Sequence, residues 1–318
     1  MHPLKLEPAF KDYIWGGTRL REDFGKKCDL DRIAESWELS CHKDGASVIA
    51  SGEFAGKTLT EYISENKSAL GTNCRRFEQF PILIKLIDAK DYLSVQVHPD
   101  SEYAQRVEGE CGKTEMWYIV DCDPGAEVLY GFRRKVSREE FAERIRNNTL
   151  LEITQAVPVK KGDVFFIEAG TLHAIGKGVL TVEIQQNSNT TYRIYDYGRI
   201  GADGKPRELH IDKAMEVTKL CPAKPYPVTE AFSENGAVKR LLSRCEYFTA
   251  YSVETEREAS FEADEASFHS ILVLEGSTVL NCGKTVLELT KGDSVFVPAG
   301  CGKYTLTGAF KGVFTRID

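Results

Sequence analysis

The feature that most restricts the fold of this chain is a repeat. Lys161-Gly-Asp-Val-Phe-Phe-Ile-Glu-Ala-Gly170 returns 130 residues later as Lys291-Gly-Asp-Ser-Val-Phe-Val-Pro-Ala-Gly300. Each copy runs from a Gly-Asp turn through four or five β-formers into a second turn, the pattern of consecutive strands in a double-stranded β-helix. Two copies predict two such jelly-roll barrels, a mainly β fold with a few short helices. Pro222, Pro225 and Pro227 with Ser233-Glu-Asn-Gly236 read as a linker, which sets a boundary between residues 1–236, with helical insertions, and residues 237–318. Gapless counting puts Lys303 where the first copy has His173, and His269 is the single histidine of residues 240–318. A cation there repels a metal ion, so the second barrel is expected to bind none and to serve in packing or as an interface.

In the first barrel the chemistry concentrates in residues 93–118. Leu-Ser-Val-Gln96-Val-His98 alternates, so Gln96 and His98 share one face of a strand. Glu115 heads a second apolar strand, and a third, turning through Gly170, presents His173. Two imidazoles, a carboxylate and an amide oxygen suit a borderline divalent ion such as zinc, and an open position is the catalytic pattern. Taken singly, each histidine is more often an ordinary hydrogen-bonded one, and Glu115 a solvated carboxylate. Residues 81–88 form a buried strand interrupted by Lys85, whose charge either snorkels to water at an edge or points into a polar cavity. Residues 33–40 alternate as a half-buried strand, with Glu35 and Trp37 on one face. Helices are expected over residues 58–70, after the cap Asp100, after the capping pattern Ser137-Arg-Glu-Glu140, and over residues 212–220.

Composition bounds the function. With 318 residues and 42% hydrophobic content the chain can build one large domain or two ordinary ones. A net charge of -7 without a Lys/Arg cluster argues against a general nucleic-acid surface, so any anion must be caught in a local pocket. The nine cysteines form no Cys-x-x-Cys pair and read as reduced thiols of a cytoplasmic protein. The N-terminus lacks the apolar core of a signal peptide, and no apolar run approaches the ~20 residues of a membrane helix. Oligomeric state leaves no mark in the sequence.

Four motifs in order carry a family resemblance: Gln96-Val-His98-Pro-Asp, Gly112-Lys-Thr-Glu115-Met-Trp-Tyr, Gly170-Thr-Leu-His173-Ala-Ile and Thr191-Tyr-Arg193-Ile-Tyr-Asp-Tyr-Gly-Arg199. Together they resemble the type I phosphomannose isomerases in their short bacterial form, over nearly the whole chain from Trp15-Gly-Gly onward. The resemblance implies a cupin fold, one zinc ion and reversible conversion of mannose 6-phosphate to fructose 6-phosphate. It also implies Gln96, His98, Glu115 and His173 as zinc ligands, Arg193 as the catalytic arginine, and Lys85 and Lys113 as pocket residues. The family often carries an acid four residues before that arginine, where this chain has Asn189.

The implied reaction moves a proton between carbons 1 and 2 of the sugar through a cis-enediol whose oxygens gain negative charge. A guanidinium such as Arg193 offers forked donors to phosphate or to such an oxygen, or forms a strand salt bridge with Asp196 or Glu183. If Lys85, Lys113 and Arg193 all face inward, the pocket suits a dianionic sugar phosphate. Lys113, metal-bound water and a carboxylate remain open as the proton carrier. Two other classes compete: an iron-dependent oxygenase, which would lack basic lining residues, and a sugar-phosphate sensor that has lost turnover.

Overall fold

The computed structural model describes residues 1–201 and 204–318. Three antiparallel sheets account for the strands. A six-stranded sheet runs in the order Val164–Ile167, Glu115–Cys122, Val179–Gln186, Ile82–Ala89, Glu35–Leu39, Ala9–Lys11. A five-stranded sheet runs Tyr192–Tyr195, Val95–Val97, His173–Ile175, Glu127–Phe132, Thr154–Pro158. These two close on one another as the first barrel, with Ile87, Trp117, Ile119, Val128 and Ile175 inside. The fold is thus mainly β with two barrels, as the repeat predicts.

Every residue of Ile82–Ala89 and Val179–Gln186 is buried. The reason is that both faces of the six-stranded sheet are covered. The inner face fills the first barrel. The outer face, with Ile84, Met116 and Val182, packs against Phe248, Phe268 and Phe296 of the second barrel in one continuous core. The outer face of the five-stranded sheet is covered by the helices Arg138–Arg146 and Ile211–Val217, which bury Phe141 and Ala214 against Val95, Val97 and Ile194.

Helix starts follow the caps. Thr58 and Glu61 close a reciprocal capping box on Leu59–Glu65. Asp100 accepts from the Tyr103 N–H at 2.8 Å to begin Ser101–Glu108, and Ser137 accepts from the Glu140 N–H at 3.1 Å to begin Arg138–Arg146.

Three features differ from expectation. Ser233-Glu-Asn-Gly236 is no linker: strand Ala231–Glu234 turns through Asn235 and Gly236, at φ 50° and 86°, into Ala237–Arg244. Asn-Gly with both residues at positive φ is a hairpin turn whose twist matches the strands it joins. Second, Lys303 is exposed while Tyr304 is buried, so Tyr304 is the inward residue of Gly302–Thr307. The second copy holds one residue more between its turn and this strand's first inward position, which gapless counting misses. Third, Leu4–Glu7 pairs with Ser294–Val297, so the N-terminal strand lies in the sheet of the second barrel.

Candidate active site

Because Val95 and Val97 pack outward under the helices, Gln96 and His98 must face into the first barrel. Cross-strand pairing then sets His173 opposite Gln96, and Glu115 opposite Gln185 on the facing sheet. Gly170 ties the ligand segments together: its N–H donates to the His98 carbonyl at 2.8 Å. Its φ of 88° and the Val217 carbonyl 2.8 Å from where a Cβ would stand both require glycine.

His98, Glu115 and His173 converge, their ligand atoms all within 4.8 Å of one another. The two Nε2 atoms are 3.2 Å apart, and they lie 3.4 and 3.5 Å from the Glu115 carboxylate oxygens. All three residues are at most 1% exposed. His98 Nδ1 bonds the Thr190 carbonyl at 3.0 Å and His173 Nδ1 the Thr171 carbonyl at 2.8 Å. A carbonyl only accepts, so each Nδ1 carries the proton and each Nε2 turns a bare lone pair to the centre.

The protonation state is the one metal binding demands. Burial, helped by the neighbouring Lys113 charge, pushes His98 down to about 3, and burial also lowers His173. Burial alone would raise the Glu115 carboxyl, but the neighbouring Lys113 ammonium holds it well below the usual carboxylate range. Both Glu115 oxygens are buried and accept no well-formed hydrogen bond, although Lys113 Nζ stands 2.9 Å from one of them. Two unprotonated imidazole nitrogens and a carboxylate, all desolvated and sharing Lys113 as their neighbouring cation, fit a divalent metal ion.

Gln96 and Lys113 border this cluster. The Gln96 amide lies 3.4 Å from His173 Nε2, and Lys113 Nζ lies 3.0 Å from His98 Nε2. Both also line a cavity of about 240 Å³ whose walls include Lys85, Asn189, Arg193 and Arg207. The ligand cluster stands behind Gln96 and Lys113 rather than in the cavity wall itself.

Lys85 does point into this polar interior, but its charge is matched. Nζ is 2.9 Å from Glu183 and 3.5 Å from Glu35. Each carboxylate is in turn held by an indole N–H, Trp117 on Glu183 at 3.0 Å and Trp37 on Glu35 at 2.7 Å. Burial works against the ammonium, yet the two carboxylates raise its pKa. Of the two alternatives, Lys85 takes the polar interior, with its charge offset by two carboxylates.

Arg193 makes no ion pair with Asp196, which is taken by Arg207, at 2.8 Å through Nε, and by Arg199. Instead its Nη1 donates to the Glu208 carbonyl at 2.8 Å, and its buried Nε has no partner among the described residues. Asn189 donates to Asp44 at 2.8 Å, so a carboxylate stands next to the position where an acid is usual.

Residues 4–121 match the family described as phosphomannose isomerase type I, catalytic domain, and residues 237–317 the mannose-6-phosphate isomerase cupin domain. The chain is 41% identical over 308 residues to the mannose-6-phosphate isomerase ManA of Bacillus subtilis, across 96% of each. The chain belongs to the type I phosphomannose isomerases. It is also 38% identical to a mannose-6-phosphate isomerase of Streptococcus mutans, over 93% of this chain and 92% of that one. A crystal structure of the mannose 6-phosphate isomerase from Bacillus subtilis shares its fold at a TM-score of 0.94 and 37% identity, covering 100% of both.

In this type I phosphomannose isomerase the residues singled out in the sequence fall into two groups. Gln96, His98, Glu115, His173 and Lys113 gather at one end, while Lys85, Asn189 and Arg193 lie along the cavity that opens from it. Sequence reasoning missed Arg207 and Asp44. Arg207 follows the Arg193 motif across a turn, and no local pattern separates it from a surface arginine.

Proposed function

We propose that this enzyme interconverts mannose 6-phosphate and fructose 6-phosphate, with one zinc ion held by His98, Glu115 and His173 and the Gln96 amide as an additional ligand. The observation that carries the reading is a fully buried His/Glu/His cluster beside a cavity whose lining is rich in cations. Among the described residues, Lys85, Lys113, Arg193 and Arg207 line that cavity against the carboxylates Glu35 and Glu183. Nitrogen and carboxylate donors suit zinc, which when bound polarises the sugar carbonyl as a Lewis acid.

The side chains divide the remaining tasks. Arg193, with a donor left over, faces the oxygen that becomes negative in the enediol, where a preorganised guanidinium stabilises the transition state. Arg207, oriented by Asp196, adds charge for the dianionic phosphate. Lys113 touches the metal-ligand cluster and the cavity at once, so its Nζ is placed to carry the proton between carbons 1 and 2. Lys85 fixes Glu35 and Glu183, which line the wall and orient sugar hydroxyls. Asn189 with Asp44 supplies the hydrogen bonding usually given by an acid.

The decisive experiment is a coupled assay on mannose 6-phosphate with the metal content of the same sample measured. Turnover with about one zinc per chain is expected. Binding without turnover in the zinc-loaded protein would make the chain a sensor, and activity confined to an iron-loaded form would assign the cluster to other chemistry. The basic lining already argues against the oxygenase.

A further inference from the structure

The second barrel has a cavity of its own, of about 260 Å³, against about 240 Å³ in the first. The ladders show that the two are the same place in the fold. In the first barrel Ile167 and Gln185 both face Glu115. In the second, Val297, which is Ile167 advanced by the repeat, faces His269, and so does Arg316. His269 therefore stands where Glu115 stands, and Arg316 where Gln185 does. One inward rung further, the pair Glu183 and Lys85 becomes Phe314 and Tyr251.

The replacements change the chemistry consistently. A carboxylate ligand has become an imidazole, 5% exposed, that lines the cavity and is held through Nδ1 by the Tyr304 hydroxyl at 2.9 Å. The buried Lys–Glu pair has become two aromatic rings. Phe314 lies nearly parallel to Phe261, at 5.8 Å and 20°, and Tyr251 is 6.3 Å from Phe314. Phe232 adds an exposed ring 6.4 Å from Tyr251.

Lys239 and Arg316 line the cavity beside Glu234 and Glu262 and both are paired, whereas the first cavity is lined by Arg193, whose Nη1 bonds a carbonyl and not a carboxylate. Lys239 is paired with Glu234 at 2.5 Å, and Arg316 with Asp318 at 2.7 Å. Nothing here matches a dianion, and the ligand set for a metal is gone. Flat apolar rings under a rim of paired acids and bases suit a ligand with C–H faces and hydroxyl edges.

We infer that the second barrel is a metal-free binding pocket for a neutral monosaccharide. This goes beyond the proposed reaction and does not depend on it. The test is saturation-transfer NMR on the full-length zinc-loaded protein with D-mannose, D-fructose and D-glucose as probes, each at about 10 mM, where weak binding of ~1–10 mM registers. At least one of them is expected to receive transfer, and to keep it in Arg193→Ala. Binding should weaken about ten-fold in the double variant Phe232→Ala, Tyr251→Ala, as loss of aromatic contact predicts. Phe232 is exposed but Tyr251 packs half-buried against the core of the second barrel, so should the double variant fail to fold, Arg316→Gln is read in the same way. No transfer from any of the three sugars would overturn the inference. So would transfer lost in Arg193→Ala but unchanged in the rim variants, which places it in the first barrel. Tighter binding of mannose 6-phosphate at the rim-sensitive pocket would overturn the neutral class.

Discussion

His98 and His173 each use Nδ1 to bond a backbone carbonyl, and that single choice fixes which nitrogen is free to meet a metal ion. The double variant His98→Ala, His173→Ala should fall from about one bound zinc to none by elemental analysis, and retained metal would remove the cluster from the proposal. Arg193→Ala should lower kcat by ~100 to 1,000-fold with zinc content unchanged, as for loss of one preorganised donor. A near-normal rate would assign Arg193 to structure. Lys85 is a different case, because its neighbours are Glu35 and Glu183 in a buried setting. Lys85→Met should therefore cost about 3 to 5 kcal/mol in a denaturant titration, since it strands two buried carboxylates. Strand alternation made Gln96 and His98 legible in the sequence. The partners of Lys85 were not, because Glu183 meets it only across a ladder between strands far apart in the chain.

Strands and turns were legible where one local signal ruled. The caps Asp100 and Ser137 began helices as read, while the helix read over 58–70 is an α-helix only over Leu59–Glu65, with Thr58 as its cap. Residues 222–236 failed because three prolines and an Asn-Gly pair compete: the prolines do precede an irregular stretch, but Asn235-Gly236 makes a hairpin. Register between repeats was legible only as far as Val297, and the extra residue before Tyr304 lay beyond gapless comparison. The strand His269–Cys282 carries its own prediction. Burial foremost, with Arg316 nearby, lowers the His269 pKa from 6.5 to about 3. Between those values the unfolded chain binds a proton that the folded chain refuses. The stability it contributes is therefore complete above about 6.5 and is lost on acidification, at ~1.4 kcal/mol per pH unit. From pH 6.5 to 5 the unmodified chain should lose about 2 kcal/mol more than His269→Gln in urea unfolding. Equal losses would mean that His269 is protonated in the fold.

At the scale of the whole molecule the largest apolar cluster lies between the barrels rather than inside either. Phe296 of the second barrel is fully buried there, with ring contacts to Phe268 at 5.2 Å and to Tyr62 at 6.4 Å. All three tryptophans, at 15, 37 and 117, belong to the first barrel. If the shared core makes the barrels one cooperative unit, Phe296→Ala should destabilise the fold by about 3 to 5 kcal/mol as read by tryptophan fluorescence. An unchanged tryptophan transition would show that the barrels melt separately. The pairing of Leu4–Glu7 with Ser294–Val297 has a consequence of another kind. Among the described strands the one that leaves the ribosome earliest finds one mate almost at the far end of the chain. Val48–Ile49 is made early and can cover one edge of that segment, but at ~5 to 20 residues per second translation leaves the other edge waiting roughly 15 to 60 s for Ser294–Val297. Throughout that time Leu4 and Leu6, both destined for the core, are within reach of chaperones and of neighbouring nascent chains.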